Sequence, residues 1–351
     1  MQMTLESEPD ILDDAEDEQS IQTSFSITSF GTDYPVEIIA PRIRSSDWYA
    51  PLFRRNFVWS LNQASRFIES LLLGLPVPGI FLFKEIKTGK HLIIDGQQRT
   101  KSLQLYLDED RFANKKFRLT NVSNPYNGKA FSELDLADQR RLKDSILHAT
   151  IFRQKSPEGD NSSIYEVFER INTGGSKLPA QEIRACINHG PAVEFLEKMA
   201  SKEVWRSVFG SSSKWLKDQE LILRFFAFID REANYSNPMK KFLDEYMSSL
   251  HTKNNFRNLE RQFDETFGFF HESGIAKPFR PERALVAAVF DAVSVQTSRL
   301  ISASTLPRDY VDRCRKLLTD THFLNLCSSA TADPERVRSR FATAKSFLQK
   351  Q

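Results

Sequence analysis

One segment, His91-Leu92-Ile93-Ile94-Asp95-Gly96-Gln97-Gln98-Arg99, constrains the fold of this chain more than any other. Its apolar, β-branched run reads as a buried strand, and Asp-Gly ends it. Helical spacing follows at once, from Gln98 through Leu103, Tyr106 and Leu107. Upstream, Ile80-Phe81-Leu82-Phe83 is a second short apolar run, and Lys87-Thr88-Gly89-Lys90 supplies a turn between the two. The pattern predicts a hairpin whose second strand feeds a helix. A chain built this way needs a sheet, with a helix N-terminus at one end of it.

Around this centre the sequence predicts a strand over Val36–Ile43 and a helix opened by Ser60. Gln63 stands three residues on, as a capping-box partner should. Ala64, Phe67, Ile68, Leu71 and Leu72 hold helical spacing, and Gly74 and Pro76 stop it. Further strands are expected at Lys116–Leu119 and Ala149–Phe152. Helices are expected at Leu134–Lys143 and Ile164–Ile171, and another has Pro179 in its first turn. Beyond about residue 190, strand signals nearly vanish and long amphipathic stretches take over, such as Glu220–Ile229, Met239–Leu250 and Arg283–Val295. The expected fold class is α+β: residues 1–24 a disordered acidic tail, 25–188 a small mixed-sheet domain, and 189–351 an all-helical domain.

Composition narrows the class. Phe is abundant at 28 residues and Gly sparse at 13, which favours large apolar helix faces. No apolar run approaches the roughly 20 residues of a membrane span. The acidic N-terminus does not read as a secretory or transit signal. Cys186, Cys314 and Cys327 fit neither a disulfide framework nor zinc spacing. A cytoplasmic location, with no membrane partner, is the expectation. The formal charge of +2 hides an asymmetry: the first twenty residues carry eight acids and no Lys or Arg. Removing those eight from the 46 acids leaves 38 against 48 basic residues, a net of +10 for the body of the chain. That balance suits an anionic ligand, nucleotide or nucleic acid.

Three segments can carry chemistry. In Asp95–Arg99, a helix N-terminus offers free N–H groups and a positive dipole end to phosphate. Gly96 permits close backbone approach, and Arg99 can grip phosphate oxygens with two donors. Gln97 and Gln98 can orient water or contact a base. Asp95 can hold a metal, orient Arg99 or cap the helix. The bland reading is a capped turn with solvated amides. In Phe168-Glu169-Arg170-Ile171-Asn172-Thr173-Gly174-Gly175, consecutive N–H groups at Gly-Gly can form an anion nest, and Glu169 and Asn172 are oxygen ligands suited to Mg²⁺. A glycine-capped helix end accounts for the same residues. Arg54-Arg55-Asn56-Phe57-Val58-Trp59 can clamp an anion or stack on a base, or supply two core aromatics beside exposed arginines.

Taken together and in this order, with Ile68–Pro78 between them, the three segments resemble the N-terminal domain of GmrSD-type restriction endonucleases, a branch of the ParB/sulfiredoxin-like superfamily. The resemblance spans roughly residues 35 to 190 and is carried by Asp95-Gly96-Gln97-Gln98-Arg99 with Arg170-Ile171-Asn172-Thr173-Gly174-Gly175. It implies a ParB-like fold for the mixed-sheet domain, and nucleotide binding and hydrolysis in a DNA-restriction or anti-phage defence system. It implies catalytic roles for Asp95, Gln97, Gln98 and Arg99. Nucleotide contacts are implied for Arg55, Gly96, Arg99, Arg170, Asn172, Thr173, Gly174 and Gly175, and Mg²⁺ ligation for Glu169 and Asn172. Around Arg55 the chain departs from the family pattern: Arg54 replaces Gln, and Asn56-Phe57 replaces Pro-Tyr.

Many full-length relatives add a His-Asn-His-type nuclease, which needs clustered histidines and metal ligands. After residue 190 this chain has only His251, His271 and His322, widely separated. The expected function is therefore a Mg²⁺-dependent nucleoside triphosphatase serving as the sensing or regulatory subunit. Its expected partners are a nucleoside triphosphate and DNA or a separate nuclease subunit, and self-association is open. The alternatives are a DNA-binding module without catalysis and a ParB-like nuclease.

Overall fold

The computed structural model describes residues 11–12, 26–50, 59–86, 88–112, 115–156, 164, 167, 170–171, 179–188, 190–213, 216–251, 255–275 and 278–349; of 11–12 and 251 it describes the backbone alone. The chain forms two compact units, one spanning 23–178 and the other 179–351 with the first 22 residues. The helix Ala180–Ile187, which the sequence groups with the first domain, falls in the second. Its Arg184 is bound there by Glu220 and Asp244.

The first unit is built on a mixed five-stranded sheet. Its strands are β2 (Ser26–Pro35), β3 (Trp48–Tyr49), β4 (Ile80–Lys84), β5 (His91–Asp95) and β8 (Ile146–Ser156), in the order β2-β8-β4-β5-β3. β2 runs antiparallel to β8, β8 parallel to β4, β4 antiparallel to β5, and β5 parallel to β3. The β4–β5 pair is the expected hairpin. Leu147, Ala149 and Ile151 alternate along β8 and join Ile80, Leu82 and Ile93 in one core. Helices α1 (Val36–Arg44), α2 (Leu61–Leu72), α3 (Gln97–Leu107) and α4 (Leu136–Asp144) contribute Ile39, Phe67, Leu71, Leu103, Tyr106 and Leu142 to it. α2 begins as the sequence predicts: Gln63 N–H donates to Ser60 Oγ at 3.3 Å, and Ser60 N–H donates to Gln63 Oε1 at 2.9 Å.

Three local expectations are corrected. Val36–Ile43 is helical, not extended. Val36, Ile39 and Ala40 are buried and Ile43 packs against the core, so the spacing i, i+3, i+4, i+7 outweighs the strand-like composition. Strand pairing at 115–119 stops at Lys116, where the two-residue β7 (Lys115–Lys116) meets β6 (Arg111–Phe112). Phe117 and Leu119 are buried outside any ladder. β8 is eleven residues long because it pairs with β2, an edge strand whose Ile27, Phe30 and Tyr34 stand among polar residues with no regular apolar alternation.

Among the described residues, the second unit is helical apart from a two-residue parallel pairing of β1 (Ile11–Leu12) with β9 (Leu285–Val286). β1 lies in the segment the sequence reads as a solvated acidic arm. Trp205 anchors an aromatic core, with ring centroids 5.0 Å from Phe267, 5.4 Å from Phe209 and 5.8 Å from Phe290. The helix Ala287–Ser302 is buried on nearly every side, including Asp291, which binds the equally buried Arg224 and Arg340. All three cysteines are buried thiols outside any disulfide. Among the described residues, no helix is long and apolar enough to cross a membrane.

Candidate functional site

The junction that opened the sequence argument lies at the end of β5. Phe81 pairs with Asp95 while Leu82 pairs with Ile93, so Ile94 is an extra residue in the ladder. A bulge of this kind bends the strand and re-aims the residues after it. Gly96 then adopts φ +92° and becomes the N-cap of α3. Two independent constraints make it glycine. The left-handed backbone disfavours any L side chain, and a Cβ there would lie 2.3 Å from Ile80 Cγ2. As N-cap it has no side chain to cover the first N–H groups of α3.

Arg99 stands in the first turn of α3. Its Nη2 donates to Asp95 Oδ2 at 2.5 Å and to the carbonyl of Gly79 at 3.0 Å. Only 15% of the side chain is exposed. Its Nε is buried with no hydrogen-bond partner among the described residues, 3.3 Å from where a Gly96 Cβ would be. Leaving a buried donor unmet costs about 1–3 kcal/mol, so a polar atom arriving there would be favoured. Of the three roles open to Asp95, the geometry displays the orienting one.

Gln98 Oε1 accepts from Trp59 N–H at 3.2 Å, and the Trp59 ring packs on Phe67 at 5.7 Å. Gln98 thus fastens Trp59 just before α2. Gln97 is half-buried, and its carbonyl accepts from Thr100 Oγ1. The structure therefore brings together Asp95, Gly96, Gln98 and Arg99, with Gln97 beside them. Arg170 is helical and exposed. Arg54, Arg55, Glu169, Asn172, Thr173, Gly174 and Gly175 lie outside the described residues, so the nest and the oxygen ligands read from them are not placed. Among the described residues, no three His, Cys, Asp or Glu side chains gather as a metal site. His271 and His322 are exposed on separate helices.

Sequence reasoning missed Gly79 and Ile80. Gly79 supplies the carbonyl that holds Arg99, and Ile80 is the wall against which Gly96 closes. The Pro78-Gly79 entry to β4 was the available signal, but its meaning depends on the β4–β5 register.

The site thus belongs to an α+β domain in which a mixed sheet delivers an arginine-bearing helix start, followed by a helical unit. Residues 38–188 match the family of the GmrSD restriction endonuclease N-terminal domain. The match suggests a component of a restriction or defence system. No curated protein matches the chain.

Proposed function

We propose that the sheet unit binds and hydrolyses a nucleoside triphosphate as the sensing or regulatory part of a DNA-restriction or anti-phage defence system. One observation supports this above all. The Arg99 guanidinium is already oriented by Asp95 and Gly79 at a helix N-terminus, with a buried Nε donor unmet. A site built in advance to stabilise charge is what phosphoryl transfer asks of a protein. In this reading Arg99 and the α3 N–H groups hold phosphate oxygens. Gln97 and Gln98 order water or the nucleotide. Arg55, Arg170 and Asn172–Gly175 complete the nucleotide contacts. Mg²⁺ accompanies the phosphates, with Glu169 and Asn172 as its protein ligands. DNA cutting belongs to a separate subunit.

The test is nucleotide binding and turnover, with and without Mg²⁺, for the full chain and for Arg99→Ala. The expected result is binding by the wild type that weakens at least tenfold in the variant. A wild type that binds no nucleoside triphosphate overturns the proposal.

A further inference from the structure

The outer edge of the sheet is a feature that the phosphate site leaves unused. β2 ends the strand order on one side, and among the described residues no strand pairs with its outer edge. It is ten residues long, Ser26–Pro35, and Asp33 is its one charged residue. Edge strands ordinarily carry lysines, inward charges, bulges or prolines that keep other strands away. Here the register shift lies at Ser26/Ile27 and the proline at the far end, so the stretch between them is bare of such devices. Large apolar side chains stand open on and beside it. Ile27, Phe30 and, on β8 opposite Pro35, Ile146 are 39%, 48% and 50% exposed.

The ladder fixes which backbone groups the edge offers. One step past its end, Val36 N–H donates to the Ser145 carbonyl at 2.9 Å. Hydrogen-bonded pairs alternate with non-bonded ones along an antiparallel ladder. Tyr34, Thr32, Phe30 and Thr28 therefore turn N–H and C=O toward β8, and Asp33, Gly31, Ser29 and Ile27 turn theirs outward. Pro35, which has no N–H, falls in the outward set, where a proline costs the β8 ladder no bond.

We propose that β2 pairs antiparallel with β2 of a second copy of this chain, about a two-fold axis at Gly31, joining the two sheets into one. With the axis there, Ser29 faces the second copy's Asp33, and Ile27 faces its Pro35. The outward groups of Ser29, Gly31 and Asp33 are then all paired. Ile27 N–H meets the Pro35 carbonyl, and the ladder stops there because Pro35 has no donor. No like charges oppose each other, since Asp33 stands across from a hydroxyl. Strand alternation sets Ile27, the second copy's Pro35 and its Ile146 in one row on one face. On the other face each Phe30 stands opposite Thr32 and diagonal to the other Phe30, at about 7–8 Å, within reach of aromatic side chains. One register thus covers all three exposed side chains. An axis at Phe30 instead sets Ile27 against Asp33, an isoleucine against a carboxylate. This complementarity of the edge to itself, in charge and in apolar contact, selects a second copy as its occupant.

Sedimentation of the full chain at about 1–100 µM tests the pairing, for the wild type, Ser29→Pro and Phe30→Lys. Ser29→Pro removes an outward N–H and no bond to β8, and Phe30→Lys puts a charge on the edge. The wild type is expected to move from the 40.4 kDa chain mass to twice that mass as concentration rises. In both variants the dimer dissociation constant rises at least about tenfold, with the unfolding midpoint within about 4 °C of wild type. Crosslinking tests the register without either substitution. Ser29 and the second copy's Asp33 form a hydrogen-bonded pair, with Cα atoms about 5.5 Å apart, which suits a disulfide. A mixture of Ser29→Cys and Asp33→Cys chains is therefore expected to give a disulfide-linked dimer that neither gives alone. Should a variant fail to fold, the mixed disulfide decides. A wild type that stays at the single-chain mass and a mixture that does not crosslink overturn the proposal and leave the edge to a strand of another protein. A dimer that persists in both folded variants also overturns it, because the interface then lies elsewhere.

Discussion

Gly96→Ala tests whether the strand-to-helix junction is as tightly determined as its geometry indicates. The substitution places a Cβ on a backbone at φ +92°, which costs roughly 1–2 kcal/mol for an L residue. The same Cβ lies 2.3 Å from Ile80 Cγ2 and 2.9 Å from Ile80 Cβ. Ile80 is 1% exposed in a packed core and has little room to withdraw, and overpacking of this kind adds about 1–3 kcal/mol. The expected loss is therefore about 2–5 kcal/mol, read as a shift in urea midpoint at unchanged slope. Under the proposed function nucleotide affinity falls with it, because Arg99 Nε lies only 3.3 Å from the new atom and the guanidinium must move.

A double-mutant cycle with Ile80→Ala separates the two causes. Alone, Ile80→Ala leaves a cavity and costs about 2–5 kcal/mol. In the double variant the 2.3 Å contact is gone, while the backbone strain and the 2.9 Å contact with the Cβ at position 80 stay. The combined loss is expected to be about 1–3 kcal/mol smaller than the sum of the singles. Additivity to within about 0.5 kcal/mol would show that Ile80 is not what excludes a side chain at position 96. A Gly96→Ala loss below about 1 kcal/mol would refute the strained-junction argument altogether.

Asp291→Ala removes the buried carboxylate that pairs with two fully buried guanidiniums, Arg224 at 2.6 Å and Arg340 at 3.2 Å. Thermal unfolding is expected to show a loss of about 3–5 kcal/mol, and a loss under about 1 kcal/mol would mean that the pair is neutralised in another way. Burial pushes the Cys314 and Cys327 thiols up to about 12. Groups whose native value is raised add stability that is full below the unfolded value and is lost as pH rises toward the native one. Stability should therefore decline from about pH 9 upward, and Cys314→Ala/Cys327→Ala should flatten that decline; an unchanged alkaline slope in the double variant would refute the assignment.

What the sequence reveals of this protein follows the range of its interactions. Local signals were legible: the Ser60–Gln63 capping box, the β4–β5 hairpin, and the Asp95-Gly96 stop before α3 all depend on residues within a few positions of one another. In α1 the β-branched content of Val36–Ile43 masks a helical period that the buried Val36, Ile39 and Ala40 reveal. β2 was missed for a different reason. Its Ile27, Phe30 and Tyr34 make no regular apolar alternation, and only its ladder to β8, more than a hundred residues away in sequence, makes it a strand. The same limit governs the site. Asp95 and Arg99 are four residues apart, and their pairing is a matter of helix geometry. Gly79 reaches Arg99 only through the hairpin register. Residues joined only through register have no motif to share, so a single chain read in order displays Asp95 and Arg99 and conceals the carbonyl that holds the arginine in place.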